Sequence, residues 1–154
     1  MKKISTQNLP TIVLIGRANV GKSTLFNSLI EQHKAIVSDI AGTTRTNNEG
    51  LLIWRGKEAH LIDTGGVDND ENERFASAII AQADMALKQS DMIIMLTDAK
   101  IGVMPQEKEL AKKLTQTYKD KKIYLLANKA DTKKIEMNLG EKEWMSLGLG
   151  MPIP

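Results

Sequence analysis

The stretch TIVLIGRANVGKSTLFN, Thr11 to Asn27, decides how the rest of the chain is read. Thr11 to Ile15 form an apolar, β-branched run of the kind that makes a buried strand, and from Lys22 to Gln32 the residues Leu25, Phe26, Leu29 and Ile30 recur at helical spacing. Between them GRANVGKS, Gly16 to Ser23, fits the phosphate-loop pattern G-x-x-x-x-G-K-S in the context that pattern requires, after a strand and before a helix. Gly16 and Gly21 let the backbone curl so that successive N–H groups converge on an anion, and the helix that follows adds the positive end of its dipole. Lys22 brings a point charge to the outer phosphates of a nucleotide, and the Ser23 hydroxyl is a hard oxygen ligand for Mg²⁺.

Outward from this unit, short apolar runs alternate with helical patterns. LLIW (51–54) and AHLI (59–62) flank Arg55, Gly56, Lys57 and Glu58, which predicts an antiparallel hairpin. A helix is expected over 72–89, a strand over 91–98, a helix over 105–118 and a strand over 122–127. Strands apolar on both faces, alternating with helices, imply an α/β fold: a mostly parallel sheet with one antiparallel edge strand and helices on both faces. The expected architecture is a P-loop NTPase domain of the Ras-like G-domain type. Met85, Met92 and Met95 fall in these patterns and are expected in the core, His33 and His60 are read as structural, and KDKK (119–122) as a solvated turn.

At 154 residues the chain is one domain's worth, and 42% hydrophobic with 26% charged residues is ordinary for a soluble protein. The absence of cysteine rules out disulfides and thiolate metal sites. The longest apolar runs fall far short of the ~18 residues of a membrane span, and MKKISTQNLP has no signal-peptide core, so a cytoplasmic protein without a membrane partner is expected. A net charge of +2 leaves its partners open.

Which nucleotide is bound follows from NKAD, Asn128 to Asp131. The Asp131 oxygens can accept from both the N1–H and the exocyclic amine of guanine, whereas adenine offers a lone pair at N1, a mismatch of a few kcal/mol at a dry site. Lys129 can lay its methylene stem along the base. HLIDTGGV (60–67) supplies D-x-x-G: Asp63, at a strand end, faces Ser23 and holds Mg²⁺ through water, while the Gly66 N–H reaches the γ-phosphate. Thr44, in GTTR (42–45), closes onto Mg²⁺ when that phosphate is present, so loops at about 38–48 and 65–74 respond to one phosphate. GTP or GDP contacts are therefore expected at Gly16, Arg17, Ala18, Asn19, Val20, Gly21, Lys22, Ser23 and Thr24, at Asp63, Thr64, Gly65, Gly66 and Val67, and at Asn128, Lys129, Ala130 and Asp131. Mg²⁺ ligands are Ser23, Thr44 and Asp63.

Together GRANVGKSTLFN, DIAGTTR, LIDTGGV and NKAD resemble the first GTPase domain of the Der (EngA) family, tandem GTPases of ribosome large-subunit assembly. Era-type and tRNA-modification GTPases share three of these motifs; the doubled glycine of IDTGG and the segment EWMSLGLGMPIP (143–154) favour Der. The likeness spans about residues 10–154 and is weakest over 133–142. Ala18 stands where the family has proline, which loosens the loop. The resemblance implies that 1–9 is a tail, that 10–154 is a G domain lacking the fifth motif, the last strand and the last helix, and that a second GTPase domain and a KH-like domain complete the protein. A sheet edge is then expected to stand open after the 122–127 strand. The implied partner is the ribosomal large subunit or its rRNA.

Val67 occupies the position after D-x-x-G where many GTPases carry a water-orienting glutamine, and valine cannot hydrogen-bond. GTPases that this chain resembles use K⁺ beside the phosphates, held partly by an asparagine that Asn19 matches, so K⁺ is implied in place of an arginine finger; Arg45 is the rival source of charge. The residues placed at the reacting phosphate are Asn19, Lys22, Thr44 and Gly66. Two other readings stand beside a hydrolysing switch: a nucleotide-dependent binding module with negligible hydrolysis, which Val67 permits, and a P-loop kinase or ATPase, which NKAD opposes.

Overall fold

Among the described residues five strands, β1 (Thr11–Gly16), β2 (Asn47–Trp54), β3 (Lys57–Thr64), β4 (Met92–Asp98) and β5 (Lys122–Asn128), form one sheet in the order β2-β3-β1-β4-β5. The computed structural model describes residues 9–31, 47–65 and 75–154. β1 pairs in parallel with β3 and β4, β4 with β5, and only β2 runs antiparallel, against β3. The hairpin closes between Trp54 and Lys57 through Arg55 and Gly56, whose φ angles of 49° and 76° are both positive. Two successive positive φ values make the tight turn whose twist suits a two-residue hairpin. β2 includes Asn47 to Gly50, ahead of the apolar run that announces it, because an edge strand can carry polar residues and still pair.

Successive side chains of a strand point to opposite faces, and β1 feeds two cores in this way. Val13 and Ile15 enter the larger cluster, while Leu14 enters the smaller one with Leu61 and Leu96. The smaller core is closed by α1 (Lys22–Glu31), which lays Phe26 and Ile30 across the sheet. Gly50 in β2 makes room for it: a methyl there would come within 2.7 Å of Ile30 Cδ1 and 3.3 Å of Phe26, closer than packed carbons approach.

The larger core is covered by α2 (Phe75–Gln89) and α3 (Pro105–Thr117), with Leu139, Trp144 and Leu147 completing it from the C-terminal region. That region forms two short helices, α4 (Lys133–Asn138) and α5 (Lys142–Met145), which the hydrophobic pattern did not announce. The buried stripe of α2 is Phe75, Ala76, Ile79, Ala83, Ala86 and Leu87. Met85 lies off that stripe and is 71% exposed, so its expected core role is corrected; Met92 is partly buried and Met95 fully buried.

Two further expectations change. Within KDKK, Lys121 is half-buried and its Nζ donates to the carbonyls of Lys88 (2.9 Å) and Ser90 (2.7 Å), so it ties off the end of α2 instead of standing in solvent. The outer edge of β5 is partly occupied: Ile153 pairs with Leu126 in parallel, its N–H donating to Leu125 (2.9 Å) and its carbonyl accepting from Ala127 (2.8 Å). His60 is structural as expected, in contact with Glu49 at 3.0 Å across the hairpin, while His33 lies outside the described residues.

Candidate functional site

In a parallel sheet all strands deliver their C-terminal ends to one edge, and that edge is where open α/β sheets bind ligands. Here it gathers Gly16 from β1, Asp63 and Thr64 from β3, Asp98 from β4 and Asn128 from β5. The loop 17–21 crosses this edge and turns into α1, whose first hydrogen bond runs from the Leu25 N–H to the Gly21 carbonyl at 2.9 Å.

Lys22, only 5% exposed, folds its ammonium back over the loop and donates to the carbonyls of Gly16 (3.0 Å) and Arg17 (2.6 Å). Burial draws its pKa below the usual lysine value; nearby Asp63 opposes this and Arg17 adds to it. A buried ammonium held by two neutral oxygens is electrostatically ready for an anion. Beside it the Ser23 hydroxyl donates to Asp63 Oδ2 at 2.8 Å, the pairing expected from sequence. Asp63 is 1% exposed and its second oxygen, Oδ1, is buried without a partner. An orphaned buried carboxylate oxygen is expensive unless a further donor or cation meets it, so a hydroxyl and a half-satisfied carboxylate fit a hard divalent cation such as Mg²⁺.

The loop is fastened on its other side by the predicted base-binding residues. Asn128 Nδ2 donates to the Val20 carbonyl at 2.9 Å, and Lys129 Nζ donates to the Asn19 carbonyl at 2.9 Å and to Asp98 Oδ2 at 2.6 Å. Gly21 has φ 97°, which favours glycine, and a Cβ there would also push the Asn128 amide aside. Asn19 (φ 63°) and Lys129 (φ 65°) also sit in the left-handed region. Backbone strain of this kind is held in place by surrounding bonds. Asp131 is exposed and pairs with Lys100 at 2.6 Å, which holds its carboxyl below the usual carboxylate range and raises the lysine.

The remaining expected positions divide clearly. Arg17, Ala18 and Ala130 are half-buried on the same edge, Val20 is buried beneath the loop, and Asn19 and Thr24 face solvent. Thr64 turns inward, its hydroxyl donating to the Leu14 carbonyl at 2.7 Å, so its side chain holds β3 to β1. Gly65 follows directly on β3; Thr44, Arg45, Gly66 and Val67 lie outside the described residues.

Two acids missed in the sequence belong to the site. Asp98, 4% exposed, is the last residue of β4 as Asp63 is the last but one of β3, and that recurrence was the available signal. Its carboxyl is held low although burial alone would raise it, because the Lys129 side chain and the Lys100 N–H donate to it. Glu107, fully buried in α3, accepts from Arg17 Nε at 3.1 Å and from the Met104 N–H at 2.9 Å. An acid in the first turn of an apparently amphipathic helix carries no signal of this.

A family model described as "50S ribosome-binding GTPase" matches residues 11–129. The chain is 40% identical over 146 residues to a protein from Brevibacillus brevis named GTPase Der, covering 95% of this chain and 32% of that protein. It therefore spans about a third of the length of such curated relatives. Among solved structures, the G domain of the T. maritima FeoB iron transporter is 26% identical with a TM-score of 0.61, over 94% of this chain and 84% of that one. An Era variant from Aquifex aeolicus bound to GDP and AlF4⁻ is 24% identical with a TM-score of 0.64, over 94% of this chain and 50% of that one, a likeness of fold.

Proposed function

The chain belongs to the family of 50S ribosome-binding GTPases, and on that premise we propose that it binds GTP and hydrolyses it as a molecular switch. The observation that carries this reading is the convergence at one sheet edge of Lys22, the Ser23–Asp63 pair with its orphaned oxygen, and Asn128 and Lys129 bound to the loop itself. Loop N–H groups and Lys22 would hold the phosphates, with Asn128 and Asp131 reading guanine. Ser23 and Asp63 would hold Mg²⁺, which supplies charge neutralisation at the phosphate oxygens. Thr44 and Gly66 are proposed to add an oxygen ligand and an N–H to the γ-phosphate.

Hydrolysis joins a water oxygen to the γ-phosphorus and breaks its bond to the β–γ bridging oxygen, giving GDP and phosphate. Val67 cannot orient that water, so we assign Asn19 to a K⁺ that would contribute positive charge beside the β and γ oxygens. Lacking a hydrogen-bonding side chain at 67, the site also supports a second reading, a binding module whose hydrolysis is negligible. The resemblance to Der supports a role in large-subunit assembly in the cytoplasm, with the ribosomal large subunit or its rRNA as partner and a second GTPase domain and a KH-like domain elsewhere in the full protein. No described helix is long and apolar enough to cross a membrane.

GTP turnover under Mg²⁺ in matched KCl and NaCl, with labelled-GDP binding followed in parallel, tests these statements. Turnover faster in KCl and abolished by chelation is the expected result. Equal rates in the two salts would remove K⁺, binding without single-turnover hydrolysis would select the second reading, and no guanine-nucleotide binding would overturn the proposal.

A further inference from the structure

Among the described residues Glu107 is the most deeply buried acid outside the nucleotide motifs, at 0% exposure, and the proposed chemistry makes no use of it. Its two oxygens are divided: Oε2 accepts from the Met104 N–H at the start of α3, and Oε1 accepts from Arg17 Nε in the phosphate loop. The first bond is an ordinary helix-start bond that a surface glutamate makes equally well. The second crosses 90 residues of sequence and ends on the residue whose own carbonyl receives the Lys22 ammonium at 2.6 Å. We propose that Glu107 is a positioning residue of the phosphate loop, which fixes Arg17 and thereby the carbonyl that steers Lys22.

Three observations favour this over simple helix capping. A cap needs no burial, yet burial pushes the Glu107 carboxyl above its usual range, a cost that the Met104 N–H and Arg17 oppose. Arg17 spends its Nε on this bond although it is a half-buried loop residue with a path to solvent. Asn128 and Lys129 hold the carbonyls of Val20 and Asn19, later in the loop, so Arg17 and Glu107 add a separate anchor at its first residue. Loosening that anchor shifts Lys22 relative to the phosphates and leaves the guanine contacts at 128–131 in place.

The inference rests on the GTP reading, and its test separates the two. Affinities for GDP, GMP and IDP are measured on the wild-type chain, Glu107→Gln, Arg17→Ala and the double variant. IDP lacks the exocyclic amine that Asp131 reads, and GMP lacks the β-phosphate. Each single change is expected to weaken GDP about tenfold, with the double variant no weaker than either single, since contacting residues are non-additive. GDP-over-GMP preference should shrink by the same factor, and GDP-over-IDP preference should hold. Glu107→Gln keeps one acceptor for Met104, and Arg17→Ala leaves the helix start untouched, so a folding failure of one leaves the other to decide. Additive losses, or equal losses for GDP and GMP, overturn the positioning role. Failure of the wild-type chain to prefer GDP over IDP overturns instead the reading on which it rests.

Discussion

The two ends of the candidate site are built differently. At the phosphate end the charged groups are buried: Lys22 is 5% and Asp63 1% exposed, and each is tied to the loop or to its neighbour. At the base end the carboxylate that would read guanine, Asp131, is exposed and meets an equally exposed Lys100. A charge removed from water interacts strongly with whatever enters, whereas an exposed pair is screened and exchanges partners readily. On the proposed reading, the first end would carry binding strength and the second the choice of base.

Three substitutions would break or sharpen that division. The largest effect is expected from Lys22→Ala, which leaves the phosphates facing uncompensated carbonyls. GDP and GTP affinity should fall by about 10²-fold or more, measured by titration with labelled nucleotide, in line with the loss of a charge-assisted buried contact. A loss under threefold would show that the loop N–H groups alone carry the phosphates. Asp131→Asn should come next: the new amide donates where guanine also donates, so GDP binding weakens by about 30-fold to 100-fold. Xanthosine diphosphate, which has a carbonyl in place of the amine, should gain over GDP in competition. Unchanged preference between the two would break the assignment of base choice to this end. Smallest is Lys100→Ala, expected to alter GDP affinity by no more than about twofold, as for exposed ion pairs in general. A large loss would mean that Lys100 orients Asp131 when nucleotide is bound.

Much of this was legible in the residues because the physics is local. A glycine-framed loop between an apolar strand and an amphipathic helix has few other uses, and Ser23 meets Asp63 at 2.8 Å as the two motifs require. The hairpin was announced by Gly56, and its partners Leu51 and His60 stand opposite each other in the ladder. What escaped was non-local or too short to show a period. In α2 the buried place beside Met85 goes to Ala86, whose small side chain is a weak hydrophobic signal, and Met85, expected inside, points out. α4 and α5 span 6 and 4 residues, too few for helical periodicity to show. Glu107 reads as a surface acid until Arg17, 90 residues earlier, is seen beside it. The open edge expected beyond β5 took no account of Ile153, since a single residue's pairing leaves no pattern.

The contact between Gly21 and the Asn128 amide constrains more than one conformation. Because a side chain at 21 would enter the space that this amide occupies, the two positions are coupled. A larger residue at 21 would push the Asn128 amide off the Val20 carbonyl, and the loop would lose a tie to the base end in the same step. A glycine and an asparagine 107 positions apart thus work as a single latch.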